Sequence, residues 1–334
     1  MTYPVRSLVT SHTPYRISLG GGGTDLPFYS NERGGYLISA AINQYVKVTL
    51  AHRPLDERIL VQTTDTQFAD SIDEVDHQQI REALKYFYLT KAVQVATFTT
   101  IPTGLGLGSS STLMVGLIKS ISSYLGKKLS PMEIGFIAHH LEREVLELSG
   151  GIQDQFIAAL GGIQRLKVDQ SGKVSAEPIL IDHDTREKLQ ESLILVFADG
   201  SERDSTEIIR SQQVDLNKTI EVYDQIKYLG AKSEDSLIKG DIKDLGEIMD
   251  EHWRLKKTLS HKISNNNLDD LYSRLKKLGS PGGKIIGAGG GGFFMMAVPG
   301  DSQLFIEKVN DLGCRVLNWE FEFMGTHHIN ELYE

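Results

Sequence analysis

Pro102-Thr103-Gly104-Leu105-Gly106-Leu107-Gly108-Ser109-Ser110-Ser111 is the stretch from which the rest of the chain can be read. An alternating segment, Val93–Thr99, runs up to it and is ended by Pro102. A helical pattern opens on its serines, over residues 110–125, with Leu113, Leu117, Ile118 and Ile121 on one stripe. Glycine admits positive φ and lets the backbone approach a ligand closely. A helix opening on such a loop aims free N–H groups and the positive end of its dipole at whatever lies there. That suits a phosphate, and above all the phosphate of a nucleotide. No Lys-Ser/Thr pair follows the glycines, so this is not a Walker A loop, and the G-x-G-x-G spacing is not a Rossmann fingerprint. A tight turn with a serine helix cap is the plainer alternative. The three successive serines favour the ligand, because their hydroxyls can bind phosphate oxygen or Mg2+.

Two further glycine runs flank this one. Gly20-Gly21-Gly22-Gly23-Thr24-Asp25 follows a short strand-like segment at 15–19. Gly287-Ala288-Gly289-Gly290-Gly291-Gly292 lies between strand-like residues 284–286 and 293–298. Three such loops suggest backbone brought to a polyanion or a sugar from several sides.

Between the loops stand two carboxylates. Glu142 lies on a helix expected over 130–148, which starts with Ser130 as cap, Pro131 at the first position and Glu133 three residues after the serine. Asp154 follows the Gly150-Gly151 break and opens a short helix, Gln153–Leu160. A lone carboxylate is usually a solvated surface charge. Asp154, however, has small residues before it and an apolar helix face after it, where it could orient or deprotonate an attacking hydroxyl. The paired histidines His139-His140 and His327-His328 have no zinc-ligand spacing. Met295-Met296 reads as core strand, and Arg254, Lys256, Lys257 and Lys262 read locally as the solvated face of a helix.

Elsewhere the first half mixes strands at 45–51 and 58–61, expected to pair as a hairpin, with a helix at 79–88 and a strand at Ile163–Val168. A polar helix at 182–192 precedes a strand at 193–197, so a domain boundary is expected there, dividing the chain into 1–190 and 191–334. The second half is mostly helical, over 205–228, 235–239, 245–259, 268–278 and 302–312, with a closing strand at 315–323. The elements interleave without a regular βαβ repeat, so α+β is expected over a doubly wound sheet.

Composition sets the outer bounds. The 334 residues are 40% apolar and 24% charged, as in a folded globular protein of two domains. The net charge of −9 argues against nucleic-acid binding but leaves room for a phosphorylated substrate, which needs only a few local cations. One cysteine, Cys314, excludes an intrachain disulfide. With no apolar leader and no run of 18 apolar residues, the expectation is a cytoplasmic protein without a membrane partner.

Taken together, the three loops resemble those of the GHMP kinase superfamily, which includes galactokinases, homoserine kinases and mevalonate kinases. Pro102 through Ser111 matches the second family motif. Arg16 through Asp25 matches the first, an arginine on a strand leading to a sugar-binding turn that ends in Thr-Asp. Gly287 through Gly292 matches the third. Within the superfamily the chain resembles the D-glycero-D-manno-heptose 7-phosphate kinases of bacterial surface-polysaccharide pathways. Gly21–Pro27 (Gly-Gly-Gly-Thr-Asp-Leu-Pro), Leu141-Glu142-Arg143-Glu144, Gly151-Ile152-Gln153-Asp154-Gln155, residues 252–260 and residues 282–289 carry that likeness. Fucose-type sugar kinases share part of it and are the nearest alternative.

The resemblance implies an N-terminal domain of the ribosomal-protein-S5 second-domain type, a ferredoxin-like C-terminal domain and a site in the cleft between them. ATP would place its phosphates on Gly104, Gly106, Gly108, Ser109, Ser110 and Ser111. Mg2+ would be held by Ser110 and Glu142, with Ser109 or Ser111 as alternatives to Ser110. Asp154, twelve residues after Glu142, falls where galactokinases carry the catalytic aspartate, and Arg16 where they carry the arginine that holds it ionised. Gly22, Gly23, Thr24, Asp25, Gly289 and Gly290 would contact the sugar, with Arg203 and Lys256 or Lys257 as cations for its distal phosphate. Galactokinases have Glu-His where this chain has Gly22-Gly23, which speaks against galactose and for a larger sugar. The implied reaction is phosphorylation of a heptose 7-phosphate at its anomeric hydroxyl, feeding nucleotide-heptose synthesis, by a monomer or homodimer. A non-catalytic sensor and a decarboxylase on the same fold are the other readings. Arg16, Asp154 and Glu142 weigh against the sensor, and the sugar-type first motif against the decarboxylase.

Overall fold

Two strands far longer than the sequence suggests organise the first half of the molecule. In the computed structural model, which describes residues 6–199 and 204–329, the segment expected at 15–19 extends over Leu8–Gly20 (β1). After a short helix, Pro27–Arg33 (α1), the segment expected at 45–51 extends over Gly35–His52 (β2). Both are long because almost every residue of their central stretches is buried against helices or neighbouring strands. An apolar run buried on both faces shows no alternation to mark its ends.

The chain continues through Ile59–Gln62 (β3), Thr66–Ala69 (β4), Gln78–Tyr86 (α2), Val93–Thr99 (β5), Ser109–Tyr124 (α3) and Pro131–His140 (α4). Gln153–Leu160 (α5), Ile163–Val168 (β6), Val174–Pro178 (β7) and His183–Ser192 (α6) complete this half. The sheet runs β12-β1-β2-β5-β3-β4, where β12 is the late segment His327–His328, and β6 with β7 branches from the other end of β2. The expected hairpin between 45–51 and 58–61 does not form. Arg53 and Arg58 clasp Asp56 in the connecting loop, β5 takes the place beside β2, and β3 joins β5 in parallel, Leu60 opposite Gln94.

The second half comprises Leu193–Asp199 (β8), Ser205–Ser211 (α7), Leu216–Lys239 (α8), Ile242–Lys257 (α9) and Asn266–Lys277 (α10). It is completed by Gly282–Ile285 (β9), Gly292–Ala297 (β10), Ser302–Asp311 (α11) and Arg315–Leu317 (β11). Its antiparallel sheet has the order β11-β8-β10-β9, the 4-1-3-2 arrangement of a ferredoxin-like unit. The fold is α+β. The helix expected over 205–228 is broken, because Asp215 caps a new start by accepting from the Lys218 N–H at 3.2 Å, and α8 then absorbs the separate helix expected at 235–239.

The closing strand is shorter than expected. Beyond Leu317 the chain crosses back to the first sheet, where Phe321 bridges to Ile42 and His327 and His328 pair with β1. The two halves also share a core: Leu195, Met249 and Met295 pack in the same buried cluster as Ile17, Ile38 and Leu117. Met295 and Met296 are both fully buried, as a core strand requires. Among the described residues no helix is long and apolar enough to cross a membrane.

Candidate active site

One large cavity, about 850 Å3, is lined by the first turn, the phosphate loop, the start of α5 and the faces of α9 and β9 that look toward them. Its position follows from the loop that opens α3. Gly108 takes a left-handed conformation, φ 82° and ψ 27°, immediately before Ser109, and no side chain caps the helix. The first turn of a 16-residue helix therefore leaves its N–H groups directed at the cavity.

The loop is fixed from outside. Arg16, on β1 and only 4% exposed, donates its backbone N–H to the Leu107 carbonyl at 3.2 Å and Nη1 to the Gly106 carbonyl at 2.6 Å. The remaining edge of the same guanidinium meets Asp154, Nε to Oδ1 at 2.7 Å and Nη2 to Oδ2 at 3.0 Å. This two-point contact fixes the carboxylate plane as well as its position. Asp154 stays 23% exposed, toward the cavity, and a Cβ on Gly108 would lie 3.2 Å from its Oδ2. The expected catalytic pair is thus brought together at the phosphate loop.

Glu142 is fully buried, in a single wide turn of π type. The helix expected to run to 148 ends at His140, and Leu146 N–H reaches back five residues to the Leu141 carbonyl at 3.0 Å. Such turns recur at functional sites because the extra residue re-aims a side chain. Here it points Glu142 at the serines. Oε1 accepts from Ser110 Oγ at 2.9 Å and from Gln79 Nε2 at 3.1 Å; Oε2 accepts from Ser111 Oγ at 2.6 Å and from Gln155 Nε2. Gln79 and Gln155 were not legible as site residues. Arg143, quoted in the sequence only as part of a motif, donates to the Gly151 and Leu148 carbonyls and so shapes the turn that delivers α5.

The first turn departs from expectation. Gly22 and Gly23 do line the cavity. Thr24 is fully buried and its hydroxyl bonds the Gly21 and Tyr36 carbonyls, both at 2.8 Å, so it closes the turn and is not presented to a sugar. Asp25 reaches the cavity wall, but one carboxylate oxygen accepts the N–H groups of Ile152 and Gln153 at 2.8 and 3.0 Å and caps α5. Burial raises its pKa, with the charge of Asp154 adding, against the backbone N–H bonds that oppose it. Asp25 thereby holds the start of the helix that carries Asp154. Three buried groups in the lining have no hydrogen-bond partner among the described residues, Ser18 Oγ, His77 Nδ1 and Gln153 Oε1.

The third glycine run is also corrected in detail. Gly290 gives its N–H to the Ile263 carbonyl at 2.8 Å, and a Cβ on Gly289 would lie 2.9 Å from the same oxygen, so both face α10's leading loop; Gly287 and Ala288 line the cavity instead. Gly287, at φ 87°, lies so close to the phosphate loop that a Cβ would sit 2.8 Å from the Gly106 Cα. Lys256 is 7% exposed, gives Nζ to the Gly287 carbonyl at 2.6 Å and lines the cavity, whereas Lys257 turns outward to Asp269 at 2.8 Å. Arg203 lies outside the described residues. Two basic residues that were not singled out join Lys256: Lys284 on β9 and His252 on α9, each 3% exposed and each in the lining.

Comparisons with known proteins agree with this geometry. The sequence matches the GHMP kinases N terminal domain over residues 77–162 and the GHMP kinases C terminal domain over 233–313. It is 31% identical over 304 residues to a D-glycero-alpha-D-manno-heptose 7-phosphate kinase from Campylobacter jejuni, covering 87% of this chain and 89% of that one. It is 24% identical to an L-fucokinase/L-fucose-1-P guanylyltransferase from Bacteroides fragilis, over 90% of this chain but 36% of that longer protein. A crystal structure described as a D-glycero-D-manno-heptose 1-phosphate kinase from Bacteroides thetaiotaomicron superposes with a TM-score of 0.80 at 27% identity, covering 96% and 98% of the two chains. With its phosphate loop, its Arg16–Asp154 pair and both matching domains in one polypeptide, the chain belongs to the GHMP kinase family.

Proposed function

We propose that this enzyme transfers the γ-phosphoryl group of ATP to the anomeric hydroxyl of a heptose 7-phosphate, D-glycero-D-manno-heptose 7-phosphate, giving the 1,7-bisphosphate. The observation that carries the reading is the placement of the Asp154 carboxylate, clamped by Arg16, beside the open start of α3 in a single cavity. The Campylobacter relative supports the heptose phosphate as acceptor. The small Gly22-Gly23 floor leaves room for a seven-carbon sugar.

Phosphoryl transfer depends on positioning and on neutralising charge over the transferring group more than on covalent help. The N–H groups at the start of α3 would hold the ATP phosphates. The donors around Glu142 fit a hard divalent cation. Ser110 Oγ and a buried carboxylate are oxygen ligands, and Mg2+ commonly takes one or two carboxylates beside substrate phosphates and water. Among the described residues no cluster of three acidic, histidine or cysteine ligands offers a fuller cage. Bound there, Mg2+ would supply charge neutralisation to the phosphates.

Ser18 Oγ and Gln153 Oε1, a donor and an acceptor without partners, would orient sugar hydroxyls. Asp154 then takes the proton from the acceptor hydroxyl as its oxygen bonds to phosphorus. The bond from the γ-phosphorus to the bridging oxygen breaks, and its electrons leave with ADP. An anomeric hydroxyl is more acidic than an ordinary alcohol, so a weak carboxylate base suffices.

The test is ADP release from Mg-ATP with the heptose 7-phosphate beside the heptose 1-phosphate, fucose, galactose and homoserine, with products read by phosphorus NMR. Turnover confined to the 7-phosphate with a 1,7-bisphosphate product is expected. Preference for the 1-phosphate would reverse the direction in which the sugar lies, and preference for fucose would favour the other relative's chemistry.

A further inference from the structure

The wall of the cavity built by α9 and β9 carries buried positive charge. Lys284 stands on β9 among Gly282, Gly283 and Ile285, and is 3% exposed. His252 and Lys256 stand one turn apart on α9, which packs across β9, so their side chains lie one above the other on the face turned to Lys284. Lys256 Nζ donates a hydrogen bond to the Gly287 carbonyl. The Lys284 ammonium and the His252 ring make no hydrogen bond or ion pair among the described residues. The charges that reach Lys284 are those of Lys256 and Arg16, both of its own sign, and those that reach His252 are Lys284 and Lys256. Among the described residues, the carboxylates of the lining are already engaged, Asp154 with Arg16, Asp25 with the start of α5 and Glu142 with its serines and glutamines.

A buried ammonium without a counter-charge is costly, and a fold keeps one only where something else supplies the negative charge. The groups respond as that demands: burial first, and then the charges of Lys256 and Arg16 on Lys284 and of Lys284 and Lys256 on His252, hold both pKa values well below the usual ranges. The start of α3 and the Ser110–Glu142 pair would cradle the ATP phosphates without these side chains, which border the phosphate loop where Gly287 meets Gly106. The wall flanks Arg16, whose other edge holds Asp154, so an acceptor with one hydroxyl at Asp154 extends toward it.

We infer that Lys284, with His252 and Lys256, is the clamp for the acceptor sugar's own phosphate, the group that does not react, and so sets the preference for a phosphorylated over a plain sugar. The inference rests on the reading of the acceptor as a sugar phosphate. It moves the distal-phosphate site from the solvated lysines of α9 to a buried strand residue. Three donors converging from two elements suit a phosphate dianion's several oxygens better than a single carboxylate.

The test compares the wild type with Lys284→Met, which keeps the stem length, and with Lys284→Arg. For each, kcat and KM are measured with heptose 7-phosphate and with the dephosphorylated heptose, and the shift in melting temperature by inorganic phosphate is recorded. The expected result for Lys284→Met is a fall of at least tenfold in the kcat/KM preference for the phosphorylated sugar, carried by KM, with the phosphate-induced thermal shift lost. Lys284→Arg recovers part of both. Equal losses on the two sugars, or a loss confined to kcat and the KM for ATP, would assign Lys284 to the transferring phosphoryl group and overturn the clamp. An unchanged preference would also overturn it. If the wild type accepts no phosphorylated sugar but inorganic phosphate still stabilises it through Lys284, the clamp stands and the choice of acceptor is what fails. A phosphate shift absent from the wild type as well, with no acceptor preference, sinks both.

Discussion

The two walls of the cavity handle charge in opposite ways. On the wall built by β1, α3 and α5 every charged group has its complement: Arg16 holds both oxygens of Asp154, and Glu142 accepts from two serines and two glutamines. On the wall built by α9 and β9, Lys284 and His252 are buried, and among the described residues the charges acting on them are those of other cations. A closed network fixes geometry before any ligand arrives, which is what chemistry at Asp154 needs. An open one waits for a ligand's charge and makes the protein sensitive to which ligand comes. On the proposed function, preorganisation and selectivity would be divided between the two halves of the chain.

The largest effect should come from opening the closed wall. Asp154→Asn keeps the side chain's shape but removes the proton acceptor, and kcat should fall by roughly 10²–10⁴-fold while ATP still binds. Calorimetry of ATP binding beside steady-state kinetics separates the two, and a near-normal kcat would remove Asp154 from the chemistry.

A middle-sized effect should come from relieving the open wall, and it should be a gain. In the unfolded chain Lys284 binds its proton up to about its ordinary value of 10.5, whereas burial, Lys256 and Arg16 make the folded state release it at lower pH. Between those limits the unfolded state carries the extra proton, so this group's contribution to stability rises with pH. Lys284→Met removes the liability. Without phosphate the variant should melt above the wild type near neutral pH, and its advantage should shrink as pH approaches 10. His252, which faces the same cations, titrates below that range and leaves the sign unchanged. A variant that melts lower at every pH would mean that the ammonium is a structural partner after all, and the contrast between the walls would collapse.

The smallest effect belongs to Lys257, one residue from Lys256. It is a third exposed and pairs with Asp269, so Lys257→Ala should change stability by no more than about 1 kcal/mol and leave the acceptor KM where it was. A tenfold rise in that KM would move the clamp back to the surface of α9.

What the sequence disclosed was set by how local each signal is. The phosphate loop, the helix behind it, the capping box at Ser130 and the short helix at Asp154 are written in adjacent residues, and the structure has them at or within a residue of their expected starts. The length of β1 and β2 was hidden, because burial on both faces erases alternation. The π turn at Glu142 was hidden too, since one extra residue in a helix leaves no mark in composition. The burial of Thr24 under the Tyr36 carbonyl and the hold of Asp25 on the start of α5 were hidden because those partners are distant in the chain.

Lys256 could have been told from its neighbours. Leu245, Met249, His252 and Lys256 recur at spacings of four, three and four, the stripe of a buried helix face, while Arg254 and Lys257 fall off it. Lys284 had a fainter signal of the same kind, a single cation inside an otherwise apolar strand.

The contact of Gly287 with Gly106 has a thermodynamic consequence. A loop with glycines at 104, 106 and 108 would range over many conformations if left alone, and a ligand that had to still it would lose affinity in doing so. Here the loop is already stilled, by the Arg16 side chain and backbone on one side and by the backbone at Gly287 on the other. The disorder is given up once, when the chain folds and its two halves meet, and nucleotide capture at each turnover is spared that loss.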